Sequence, residues 1–257
     1  MASARGVAEH APSPTGRRVW LFDLDDTLHD ASHAAFGPLR EAMAAYMVDE
    51  LGLDPAEAAR LRTHYWRRYG ATLLGLIRHH DVDTAHFLAE THRHPGLEAL
   101  LRTSPHDRAA LGRLRGRKFV LTNAPRAYAL RVLRKLRLER FFEGVLSIED
   151  MRIFGELRPK PDGRLFRHVA ARLRVRPSDC VLVEDMLDNQ KTAHAIGMRT
   201  VWMQRYLQGR YRGHPAPAAP PRPAGHGRVG PGTPRGCPNP RYVYAKIKTL
   251  QQLLTLR

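Results

Sequence analysis

The chain of 257 residues has only two cysteines, Cys180 and Cys237. Two cannot make the disulfide framework that staples small secreted domains. Cys180 opens an apolar run and Cys237 lies in a Pro/Gly tract, so the expected setting is reduced and cytoplasmic. No stretch approaches the roughly 20 apolar residues of a membrane-spanning helix, and no membrane partner is expected. Residues 1–17 lack an apolar core segment, which argues against a secretory signal. Glu9, Pro12 and Pro14 argue against an amphipathic transit helix, so this leader reads as disordered. Lysine is scarce as well, with six (118, 135, 160, 191, 246 and 248), so the formal charge of +17 is almost all arginine. It is spread along the chain rather than gathered in a stripe, and Arg, Ala, Pro and Gly together resemble GC-biased codon usage. Nucleic acid is therefore not the expected partner. The positive field can still attract a phosphorylated substrate. No internal repeat is present.

What is present is an alternation. Apolar runs at 19–22, 119–121, 145–148, 181–183, 200–203 and 242–244 have the length of strands. Between most of them lie helical patterns. Leu130, Leu133 and Leu136 stand at helical spacing within 126–138. The segment 161–173 opens on a proline, whose missing N–H costs nothing at a helix start, and 188–196 closes on Gly197. Such alternation predicts an α/β fold with a doubly wound, mainly parallel sheet. Two segments interrupt it. Residues 31–113 are helical in pattern almost throughout (38–51, 55–70, 72–80, 84–90 and 97–101) and predict an inserted α-helical domain. Residues 207–240 are rich in Pro, Gly and Arg with almost no aliphatic side chain beyond alanine, which predicts a flexible surface loop. The expected core is 18–30 with 114–257, in which 241–254 supplies a last edge strand and helix.

The first strand ends in Asp23, Asp25 and Thr27. A run apolar on both faces suits a parallel sheet, and ligand crevices of open α/β sheets lie at the carboxyl ends of strands. Burying two carboxylates there is costly unless a cation compensates them. A hard divalent ion, usually Mg²⁺, suits oxygen ligands. The pair reads as a carboxylate nucleophile with an acid/base carboxylate two residues on. Later strand ends carry matching chemistry. Thr122 and Asn123 can hydrogen-bond a phosphoryl oxygen without adding negative charge. Lys160, in Arg158-Pro159-Lys160-Pro161, would place a cation beside the acidic cluster. Glu184 and Asp185 repeat the carboxylate pattern and should be ionised around a cation. Asp26 and Asp30 read as structural, and Asp188 either supports a metal ligand or caps the next helix.

In this order, Asp23-x-Asp25-x-Thr27, Thr122-Asn123, Lys160-Pro161 and Glu184-Asp185 resemble the four motifs of the haloacid dehalogenase-like (HAD) phosphohydrolases. The resemblance covers about 18–203 and the final strand and helix. It implies a HAD/Rossmann-like core with 31–113 as a helical C1-type cap, which excludes water and contacts substrate when it closes. It also implies Mg²⁺-dependent phosphoryl transfer through an aspartyl-phosphate. Asp23 would be the nucleophile, Asp25 the general acid/base, and Lys160 the neutralising cation. Thr122 and Asn123 would orient the phosphoryl group. Asp23, Asp185, Glu184 and the main-chain carbonyl of Asp25 would hold the metal.

Within the cap segment, residues 64–76 resemble the pyrimidine 5′-nucleotidase type of HAD enzyme, which carries a Y-x-x-Y-G-x-x-x-x-G-L stretch. Tyr69, Gly70, Gly75 and Leu76 match, and Trp66 stands at the first tyrosine. This implies a nucleoside 5′-monophosphate as the small phosphorylated partner. Tyr69 would stack on the base, and Arg78, Arg67 or Arg68 would meet a phosphate or base carbonyl. The same core also serves phosphoglycolate or sugar-phosphate phosphatases and sugar phosphomutases. A dehalogenase would not need Asp25, and a basic nucleic-acid-binding module would not need the acid–lysine set. The histidine pairs His29/His33 and His92/His94 lack partners for a zinc set and read as surface and cap residues.

Overall fold

The computed structural model describes residues 18–102, 104–207 and 240–256. The expected leader and nearly all of the 207–240 loop, with Cys237, lie outside the described residues. Strands β1 (Val19–Phe22), β2 (Arg117–Leu121), β3 (Gly144–Leu146), β6 (Cys180–Glu184), β7 (Arg199–Met203) and β8 (Ala245–Ile247) form one sheet. A hairpin of β4 (Arg152–Ile153) and β5 (Glu156–Leu157) stands apart from it. The main sheet has the order β3-β2-β1-β6-β7-β8, and every pairing in it is parallel. The α/β fold with a doubly wound, parallel sheet is the one expected. Central β1 is buried at all four residues, as its apolar run requires. Register aligns Phe22 with Val120 on one side and Val183 on the other. Residues 23, 122 and 184 therefore come to one edge of the sheet.

Some bounds differ from the expectation for local reasons. The third strand stops at Leu146 because Ser147 and Asp150 form a capping box that starts a 3₁₀ turn at Ile148. The last strand is 245–247 rather than 242–244. Helix α9 (Gly163–Arg172) begins after Pro161, because Asp162 accepts from the Arg164 N–H at 2.7 Å and caps it. A 3₁₀ segment, Leu250–Thr255, stands where the final helix was expected.

Alternation along β1 splits the core between the two faces of the sheet. Trp20 and Phe22 face a cluster shared with α1 (Ala31–Ala34), α6 (Leu97–Leu100), α7 (Pro105–Arg113) and α8 (Arg126–Lys135). Val19 and Leu21 face α9 and α10 (Leu187–Ala195). Helices α2 (Phe36–Asp49), α3 (Pro55–Tyr69), α4 (Thr72–His80) and α5 (Thr84–Thr91) bury a separate cluster around Met47, Tyr65, Leu76 and Phe87. Packing thus divides the 31–113 segment, since its two ends join the core of the sheet. Among the described residues, no helix is long and apolar enough to cross a membrane.

The α3–α4 hairpin depends on two glycines. Gly70 ends α3 at φ +82°, a left-handed conformation that suits glycine. At Gly75 a Cβ would stand 2.1 Å from Tyr65 Cγ, so only glycine lets α4 cross α3 this closely.

Candidate active site

The strand ends bring the expected residues into one cleft. Asp23 follows β1 and its N–H donates to the Val183 carbonyl at 3.0 Å, which ties it to β6. Lys160 is 3% exposed, yet its ammonium has a full set of acceptors. It donates to Asp23 Oδ1 at 2.6 Å, Glu184 Oε2 at 2.9 Å and the Leu121 carbonyl at 2.9 Å. Asn123 holds the Lys160 main chain from both sides. Its Nδ2 donates to the Lys160 carbonyl and its Oδ1 accepts from the Lys160 N–H, each at 3.0 Å. Thr122 is buried, and its hydroxyl oxygen accepts from the Ala124 N–H at 3.0 Å.

Burial, and then the charge of Glu184, push the Asp23 carboxyl upward, against the pull of Lys160. Burial also opposes the Lys160 ammonium, but Asp23 and Glu184 more than offset it and hold it above the ordinary lysine range. Carboxylate oxygens of Asp23, Glu184 and Asp185 lie within 4.8 Å of one another, all buried. One ammonium against three buried carboxylates leaves excess negative charge. An all-oxygen donor set of this charge fits a hard divalent cation and lacks the nitrogen and sulfur ligands typical of zinc. The Trp202 indole N–H donates to the Asp185 carbonyl, and Gln190 Nε2 to the Glu184 carbonyl, each at 2.9 Å. These two bonds pin the acidic strand end.

Asp25 is held differently. The Tyr128 hydroxyl donates to its Oδ1 at 2.9 Å, and His29 Nε2 lies 2.9 Å from the same oxygen. Burial disfavours its charge, but His29, by hydrogen bond and charge, and then the bond from Tyr128 hold the carboxyl below its ordinary range. The Asp25 side chain keeps 20% exposure against 8% for Asp23, so it is the more open of the two.

The histidines correct a sequence expectation. His29 is 1% exposed and touches Asp25, and His92 and His94 pack on the Tyr128 ring, so they are not simply surface and cap residues. His29 was legible as the residue four after Asp25, the spacing of neighbours on a helical turn. Tyr128, which is 103 residues from Asp25, carried no such signal. Asp26 is structural as expected, accepting from the Ser32 N–H and hydroxyl at 2.8 and 2.6 Å. Asp30 caps α1. Asp188 is exposed in the first turn of α10 and caps nothing there.

Tyr69 and Arg78 lie on the α3–α4 hairpin. The Tyr69 hydroxyl meets His79 Nε2 at 2.7 Å, and the Arg78 and Arg68 guanidinium groups stand 5.9 and 5.7 Å from its ring centre. The turn after Tyr69 abuts the lysine segment, since a Cβ at Gly70 would sit 3.6 Å from Pro161 Cδ.

These groups form one acidic cleft around a buried lysine at the edge of a parallel α/β sheet. The chain belongs to the haloacid dehalogenase-like hydrolases, whose family model matches residues 18–197. It is 27% identical over 202 residues to phosphate metabolism protein 8 of Saccharomyces cerevisiae, a match covering 73% of this chain and 61% of that protein. It is 28% identical over 204 residues to glyceraldehyde 3-phosphate phosphatase of Methanocaldococcus jannaschii, covering 75% of this chain and 86% of the relative. A HAD phosphatase of Thermococcus onnurineus shares the fold, with a TM-score of 0.57 and 19% identity over 93% of this chain and 96% of the other.

Proposed function

We propose that the protein is a Mg²⁺-dependent phosphomonoester phosphatase that works through an aspartyl-phosphate on Asp23. We infer a nucleoside 5′-monophosphate, pyrimidine favoured, as its substrate. One observation carries the first part. Two carboxylates stand at the end of one strand, Asp23 in a buried cluster with Glu184, Asp185 and the Lys160 ammonium, and Asp25 in the more open part of the cleft, held by Tyr128 and His29. Lys160 and a cation held by the acidic cluster would keep Asp23 ionised for attack, and the more exposed Asp25 carboxyl group is left to exchange protons.

In this reading an Asp23 oxygen attacks phosphorus as the bond to the ester oxygen breaks. The ester oxygen takes a proton from Asp25. Approach of the phosphate's own negative charge favours the protonated form of Asp25 needed for this step. Asp25 then takes a proton from water while the water oxygen attacks phosphorus. The Asp23–phosphorus bond breaks, and inorganic phosphate leaves with Asp23 free. Lys160 offsets charge on Asp23 and on the transferred group. Thr122 already accepts from a main-chain N–H, so its own hydroxyl hydrogen remains to donate to a phosphoryl oxygen. Asn123 acts through the lysine it clasps. Asp23, Asp185 and Glu184, with the Asp25 carbonyl, would hold Mg²⁺, which would supply positive charge to the phosphoryl oxygens when bound.

We read α2 to α5 as the cap over the cleft, because its α3–α4 turn meets Pro161. Tyr69, stiffened by His79, would stack on a base, and Arg78 would meet a phosphate or base oxygen. A cytoplasmic setting accords with the free, buried Cys180. A sugar phosphate is the second reading, supported by the relative named as a glyceraldehyde 3-phosphate phosphatase.

The test is phosphate release from nucleoside monophosphates, phosphoglycolate and sugar phosphates, with and without Mg²⁺. Release led by UMP or CMP supports the nucleotidase reading. Release led by a sugar phosphate or phosphoglycolate removes the cap argument and keeps the mechanism. No release from any of them, with Mg²⁺ present, overturns the phosphatase reading.

A further inference from the structure

We propose that Tyr128 and His29 are positioning residues that grip the Asp25 carboxyl group by one oxygen and turn the other toward the leaving oxygen of the substrate. The proposal rests on the phosphatase reading above and assigns roles to two residues outside its motifs.

The geometry is specific. Both contacts fall on Oδ1, from the Tyr128 hydroxyl and from His29 Nε2, each at 2.9 Å. An ionised carboxylate only accepts, so the proton of this His29 contact sits on Nε2. The Tyr128 hydroxyl also lies 3.4 Å from His29 Nε2, so the three groups close on one another. A carboxyl group held by one oxygen has lost free rotation about its last bond. Its Oδ2 is then the oxygen that exchanges protons with the ester and with water.

The two grips are themselves held. His29 is 1% and Tyr128 3% exposed. Rings of His92 and His94, on the return segment after α5, stand edge-on to the Tyr128 ring at 5.8 and 6.0 Å. Arg131, less than one turn further along α8, ties that segment down. It donates to the carbonyls of Arg93 at 2.7 Å and His94 at 3.2 Å and pairs with Glu98 at 2.8 Å. The chain that returns from the helical insertion is thereby clamped to the helix that orients Asp25. Burial, and then the nearby Asp25 charge, hold the Tyr128 hydroxyl well above its ordinary range, so it remains a donor.

Leaving-group dependence separates positioning from a general structural role. An alkoxide leaving group needs its proton, whereas 4-nitrophenolate departs without one. The quantity to read is kcat/KM of the full chain with Mg²⁺, which ends at loss of the leaving group and excludes the later water step. Tyr128→Phe keeps the ring against His92 and His94 and removes only the donor. It should lower kcat/KM for an alkyl phosphate such as UMP or glycerol phosphate about tenfold or more, and that for 4-nitrophenyl phosphate by less than about threefold. His29→Gln, which keeps a donor of similar reach, should retain more alkyl-phosphate activity than His29→Ala. Equal losses on both substrates, or no loss on either, would overturn the proposal. A crystal structure of Tyr128→Phe supplies a reading independent of turnover. The Asp25 carboxyl group should be rotated or split between conformers, and an unmoved carboxyl would sink the placement. If the wild type hydrolyses neither substrate, the phosphatase reading has failed, and that structure alone decides the role of Tyr128.

Discussion

At the scale of single residues, the acidic and basic groups of the site were legible, whereas their restraints were not. Asp23, Asp25, Glu184 and Asp185 announced themselves because charged residues at the ends of apolar strands are costly without a purpose, and Lys160 stood out as a Lys-Pro pair just before a helix. Replacing Asp23 with Asn should abolish phosphate release while leaving the fold intact, as circular dichroism would check. Asn123 was legible as a polar residue at a strand end, but its partner was not. It spends both ends of its amide on the Lys160 main chain. Asn123→Ala removes both bonds, each worth about 1 kcal/mol, and frees the lysine to shift. The expected result is a fall in kcat of about tenfold with a destabilisation of about 2 kcal/mol, read by steady-state kinetics and urea unfolding. A variant with wild-type kcat would remove Asn123 from the site.

At the scale of elements, periodicity located the strands and most helices, and local capping set where they end. The 3₁₀ turn after β3 and the late start of α9 follow from Ser147, Asp150 and Asp162, whose side chains hydrogen-bond the first N–H groups. Gly75 shows what periodicity cannot show. In sequence it is a poor helix residue, and in the fold it is the gap into which Tyr65 packs. Gly75→Ala should separate α3 from α4 and cost about 1–3 kcal/mol, as overpacking does. Thermal melts would register this. An unchanged or raised melting temperature would mean that Tyr65 yields and the crossing does not depend on glycine.

At the scale of the whole molecule, buried titratable groups link folding to solution conditions. Burial lowers the His92 pKa from 6.5 to about 4. Below pH 6.5 the unfolded chain binds this proton and the folded chain does not. Stability present above pH 6.5 is therefore lost as the pH falls toward 4. The loss from this residue is of order 3 kcal/mol at one unit per 1.36 kcal/mol. His92→Gln should be less sensitive than wild type across that window in denaturant titrations, and identical slopes would refute the assignment. The cluster of Asp23, Glu184 and Asp185 predicts a linkage to Mg²⁺. Saturating Mg²⁺ at 100 times its Kd should stabilise the fold by about 2.7 kcal/mol, and Asp185→Asn should remove most of that shift. Sequence alone determined the α/β class, the strand ends and the kinds of chemical group standing there, because strand length, alternation and the cost of buried charge are local properties. Only the tertiary structure decided the partners of those groups. It joined Tyr128 and His29 to Asp25 and Asn123 to Lys160, and it divided the 31–113 segment between two cores. Such contacts arise when segments far apart in the chain are closed against one another, and no local pattern encodes which side chains then meet.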